Sequence, residues 1–150
     1  MLLDLLSEDK ILTGVKVKDW REAGRKAGQP LVEDGSIESE YIEAMIKNVE
    51  ELGPYIVLAP GLALFHGRPE DGVNKISLSL MTLTEGVYFG SEENDPVEIV
   101  LVLGATDKDS HLELLAQLSQ VLQDQDALEA IKDSQSPREV ISIIKNKLKD

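Results

Sequence analysis

Two periodicities alternate along this chain. Residues 11–18 alternate by twos, with Ile11, Thr13, Val15 and Val17 on one side and Leu12, Gly14, Lys16 and Lys18 on the other. That spacing predicts a strand, and its lysines suit a sheet edge. Residues 38–52 repeat by threes and fours through Tyr41, Ile42, Met45, Ile46 and Val49, a helix stripe that Gly53-Pro54 stops. Between these, Asp19 can cap a helix over residues 20–27, ended by Gly28 and Pro30, and a polar turn follows at residues 33–36. Residues 1–10 read as a short amphipathic segment packing Leu2, Leu3, Leu5 and Leu6 with Asp4 outside.

The second half continues the alternation. Residues 55–58 and 62–65 are β-rich runs separated by Ala59-Pro60-Gly61, either two short strands or one bent strand. Residues 74–83 predict a half-buried strand, with Ile76, Leu78 and Leu80 facing one way and Ser77 and Ser79 the other. After a loop at residues 90–96, VEIVLVL (97–103) is apolar enough for a central strand covered on both faces. Ser110 and Glu113 form a capping box ahead of a helix over 112–122, with Leu112, Leu115, Leu118 and Leu122 as its stripe. A short helix at 127–131 follows. Ser136-Pro137 then opens a last helix to about residue 147, turning Val140, Ile141 and Ile144 inward, with Lys145, Lys147 and Lys149 at the negative end of its dipole. Interleaved helices and short strands predict an α/β fold, a mixed β-sheet flanked by helices on both faces, in a single domain over residues 1–150.

Composition narrows the functions. Acids outnumber bases 28 to 15, a net charge of −13. Such a field repels phosphate backbones, so nucleic acid and anionic membranes are poor partners, while a basic protein is attracted. No apolar run reaches the length of a membrane span, and acids stand where an export signal would be basic, so no direct membrane insertion and a cytoplasmic location are expected. There are no cysteines, which removes disulfides and thiolate metal sites. GxxxxGK[ST], GxGxxG and GxSxG are all absent, so no nucleotide loop, serine nucleophile or bound cofactor is expected. A metal would need Glu70, Asp71, Asp107 or Asp109 beside the histidines, at no compact ligand spacing, so none is expected.

The chemistry rests on the chain's two histidines. His66 ends the run LALF and enters the polar turn Gly67-Arg68-Pro69-Glu70-Asp71-Gly72. His111 sits in the first turn of the helix after the buried strand. In an open α/β sheet, strand carboxyl ends and helix N-termini share one edge, so the two imidazoles can meet there. A neutral His66 could accept a phosphoryl group, which the helix N-terminus and a His111 N–H would hold. The residues alone leave open that both are ordinary loop histidines.

APGLALFHGRPEDGV, following a helix and Gly53-Pro54-Tyr55, resembles the phosphohistidine loop of the enzyme IIA domains of the bacterial phosphoenolpyruvate-dependent sugar phosphotransferase system. The mannitol–fructose class fits, and within it the ascorbate-type branch is the most similar. The run from Val73 through His111 into the helix beyond resembles the second signature of that family, and the likeness extends over roughly residues 11–144. The resemblance implies a phosphotransferase that takes a phosphoryl group from the phosphocarrier HPr on His66, with His111 in support, and passes it to an enzyme IIB component during sugar uptake. It implies the same mixed sheet. The alternative is a regulatory module of this fold in which phosphorylation signals. Such modules often adjoin DNA-binding segments, and none is read here, so transport is favoured.

Two departures stand out. Phe65 replaces the proline common before the active histidine, leaving the loop less rigid unless the ring packs. The arginine and acid of mannitol-type members have no match at Lys47-Asn48 and Ala59-Pro60, so Arg68 becomes the candidate positive charge.

Overall fold

A computed structural model describes residues 1–107, 109 and 112–149. Five strands form one mixed sheet: β1 (Ile11–Val15), β2 (Val57–Ala59), β3 (Leu62–Phe65), β4 (Ser77–Val87) and β5 (Val97–Gly104), in the order β1-β4-β5-β3-β2. The pairs β1/β4 and β3/β5 are parallel; β4/β5 and β2/β3 are antiparallel. Helices α2 (Trp20–Glu33) and α3 (Ser39–Leu52) cover one face. Helices α1 (Leu2–Leu5), α4 (Leu112–Leu122), α5 (Gln125–Asp133) and α6 (Pro137–Lys149) cover the other. The expected mixed sheet between two helical layers is what forms. β5 is central and buried throughout except at Glu98, as a nearly all-apolar run requires.

Several local expectations are corrected. The α2 helix does not stop at Gly28 but runs through Pro30 to Glu33. Pro30 removes one helical donor, yet the turn beneath it is tied down from the sheet, because the Ser79 hydroxyl donates to the Ala27 carbonyl at 2.6 Å. Gly28 is not a stop signal here: a Cβ on it would run into the Ile42 side chain of α3. Its purpose is close helix approach.

β4 is not half-buried. Leu78 and Leu80 enter one core, while Met81, Leu83 and the buried Ser79 lie under α2. Nor does β1 keep its alternation. Gly14 adopts φ +62°, the register with β4 slips between Leu12 and Val15, and Val15 and Val17 join the core opposite Ile11. β1 is nevertheless an edge strand, as its lysines suggest.

The α4 stripe is rotated from the expected one. Leu114, Leu118 and Val121 are buried, and Leu112 is exposed. Ser110, of the predicted capping box, lies outside the described residues. The Asp19 and Ser136 caps form as expected, accepting from the N–H groups of Glu22 at 2.9 Å and Glu139 at 3.2 Å.

Candidate functional site

The parallel pairing of β3 with β5 decides where the chemistry can sit. Phe65 is in register with Val102, so the two strands end side by side and release His66–Arg68 and Ala105–Asp107 at one edge of the sheet. A cleft of about 610 Å³ opens between these segments, lined by Tyr41, His66, Gly67, Arg68, Leu103 and Asp107 among others. This is the edge at which open α/β sheets bind ligands.

His66 is partly buried, and its ring orientation is set from two sides. Nδ1 lies 2.9 Å from the Leu64 carbonyl oxygen. A carbonyl only accepts, so Nδ1 carries the proton, and in the neutral ring Nε2 presents a lone pair. Tyr55 meets the imidazole edge to face, with centroids 5.7 Å apart at 83°. The residue before it is anchored too. The Phe65 ring is fully buried, packs 6.0 Å from Phe89, and fills the space over Gly24 of α2, where a Cβ would stand 2.8 Å from the ring. Packing thus supplies the rigidity that a proline would otherwise give.

Arg68 is at the cleft rim, with its guanidinium turned to its own loop. It donates to both Asp71 carboxylate oxygens at 3.2 and 3.3 Å and lies 3.8 Å from Glu70. Its side chain is 74% exposed, so these pairs are screened and exchangeable. His111 lies outside the described residues; the chain is described again from Leu112, the first residue of α4.

Sequence reasoning passed over Tyr41, which reads there as one more member of the α3 stripe. Its ring is buried, and its hydroxyl donates to the Leu103 carbonyl at 2.6 Å and accepts from the Gly67 N–H at 3.0 Å. Burial pushes its pKa up to about 12, against the opposing pull of the Gly67 N–H. The signal available was a phenol amid aliphatic stripe positions, since a buried tyrosine hydroxyl needs partners.

Comparison with known proteins decides the family. Residues 4–147 match the model described as "Phosphoenolpyruvate-dependent sugar phosphotransferase system, EIIA 2". The chain belongs to this EIIA family. It is therefore a phosphotransfer component of a sugar phosphotransferase system, as its histidine loop suggests. It is 36% identical over 145 residues to the ascorbate-specific PTS system EIIA component of Escherichia coli (strain K12), covering 95% of this chain and 94% of that protein. A putative PTS IIA (PtxA) from Streptococcus mutans superimposes with a TM-score of 0.91 at 33% identity, over 99% of this chain and 96% of that one. Enzyme IIAMTL of Escherichia coli, solved in complex with phosphorylated enzyme IIBMTL, matches with a TM-score of 0.80 at 31% identity, over 93% of this chain and 96% of that one. Among the described residues of this EIIA chain, no helix is long and apolar enough to cross a membrane.

Proposed function

We propose that this EIIA chain, over residues 1–150, relays a phosphoryl group through a phosphohistidine at His66, in a sugar uptake system of the ascorbate-type branch. The observation that carries the reading is the Nδ1–Leu64 contact, which leaves Nε2 as the nucleophile at the cleft. In the first step the Nε2 lone pair attacks phosphorus on a phosphorylated HPr-type carrier. An N–P bond forms at Nε2, and the bond from phosphorus to the carrier nitrogen breaks with its electron pair returning to the carrier. The second step is the same displacement in reverse, with an enzyme IIB component as acceptor. While the group is carried, the imidazole gains positive character, and the Nδ1–H···O bond to Leu64 stabilises it. Catalysis is otherwise positioning and charge stabilisation, as in phosphoryl transfer generally.

Arg68 contributes by exchanging Asp71 for a phosphoryl oxygen, which its exposed position permits. His111 takes the supporting role that the family resemblance implies, directly before Leu112 at the start of α4. The complex recorded for enzyme IIAMTL supports the IIB partner. The surplus of acids supports steering by a positively charged carrier, so the transfer rate falls as salt rises. The relay is placed in the cytoplasm, where such carriers work.

The test is intact mass after incubation with phosphoenolpyruvate, enzyme I and HPr. One acid-labile phosphoryl group on wild type, none on His66→Ala, and loss of the group on adding a IIB component are expected. An unmodified wild type beside an active donor chain would overturn the reading.

A further inference from the structure

The backbone of β3 shows where its pairing with β5 ought to continue. N–H and C=O groups of successive strand residues point alternately to the two neighbours. Leu64 donates its N–H to Ile56, on the β2 side. Gly61, an odd residue, faces β5, accepting from Glu98 and Ile99 at 2.9 and 3.0 Å. Ala63 and Phe65 face β5 likewise, in register with Val100 and Val102. The next odd residue is Gly67, and a continued parallel ladder would bring its N–H to the Leu103 carbonyl. Those two groups are instead the two partners of the Tyr41 hydroxyl.

We propose that Tyr41 is a positioning residue for transfer at His66, its hydroxyl standing in for one ladder bond and holding the ends of β3 and β5 apart as the mouth of the cleft. The inference rests on the phosphoryl-relay reading of this site. A hydroxyl suits the place because it donates and accepts at once. It takes the Gly67 N–H and satisfies the Leu103 carbonyl, so the two strands can part without leaving buried polar groups unpaired. Its ring is fully buried and packs against the main chain at Gly67, where a Cβ would lie 3.4 Å from the ring. The peptide between His66 and Gly67 is thereby held at both ends, by the Leu64 carbonyl through the imidazole and by Tyr41 through the amide. Without the hydroxyl, Gly67 and Leu103 can pair directly, closing the mouth and drawing His66 out of its bond to Leu64.

The test uses Tyr41→Phe, which keeps the ring and removes the wedge. Nitrogen-15 spectra of the imidazole in the unphosphorylated protein should show one Nδ1–H tautomer in wild type and a mixture in the variant. In the transfer assay, kcat should fall about tenfold or more, while KM for the phosphorylated donor stays within about twofold, since misplacement of the reacting group weakens the step and not the docking. A variant with wild-type kcat and an unchanged ring spectrum would overturn the inference. Wild type itself gives a second reading, because a Gly67 amide proton that exchanges at loop rates would also overturn it. Were wild type to take up no phosphoryl group, the relay reading would fail alone, and the ring spectrum would still decide whether Tyr41 governs His66.

Discussion

The two faces of the sheet are built differently. Against α1, α4, α5 and α6, every fully packed member of the core is Leu, Ile or Val. Against α2 and α3 the core also holds Tyr41, Phe65, Phe89 and Met residues, and buried hydroxyls bind main-chain carbonyls across the layer. The aliphatic face fills space, and its contacts have no preferred direction. The other face has aromatic rings and hydrogen bonds that fix positions, and the Phe65 ring and the Tyr41 hydroxyl, which hold the residues on either side of His66, belong to it. Stability is therefore spread over both layers, while placement of the site comes from one.

Three changes would break or sharpen that division. Leu78→Ala hollows the aliphatic face and should cost about 3 kcal/mol in chemical denaturation, with the transfer rate of the folded protein unchanged. A rate loss from that cavity would end the distinction between the faces. Alkaline titration probes the other layer. The folded chain keeps the Tyr41 proton to about 12, whereas an unfolded tyrosine releases it near 10. Between those values the unfolded state binds fewer protons, so stability falls as pH rises, by on the order of 3 kcal/mol, and levels off above pH 12. In Tyr41→Phe that component of the alkaline loss should vanish. Gly24→Ala is the mildest change, because overpacking against Phe65 is partly offset by better helix propensity, for a net loss of about 1 kcal/mol. It should nonetheless slow transfer at His66, through the displaced neighbour, more than Leu78→Ala does.

What the sequence made legible follows from the range of the forces involved. Helix stripes and the central strand are local patterns, and Tyr41–Val49 and residues 97–103 fold as their spacing indicates. The histidine loop was found as a motif. Its surroundings were not, because they depend on contacts between distant segments. Nothing near Pro30 in the chain announces Ser79, 52 positions from the carbonyl of Ala27 that it binds. Likewise Tyr41 and Leu103 are 62 positions apart, and only the assembled sheet joins them. Gly14 misled the alternation of β1 because a left-handed residue looks, in a sequence, like any small one.

The sheet margins have a further consequence. β2 is three residues long, and β1 is five residues long and bent at Gly14. Neither offers a long, flat run of free amides and carbonyls on which another chain could zip. Any protein that visits His66 must then meet loop tips and side chains at the strand ends, without recruiting a backbone ladder. Such a contact has no main-chain ladder to break on release, which suits the proposed relay, in which one molecule meets its partners one after another.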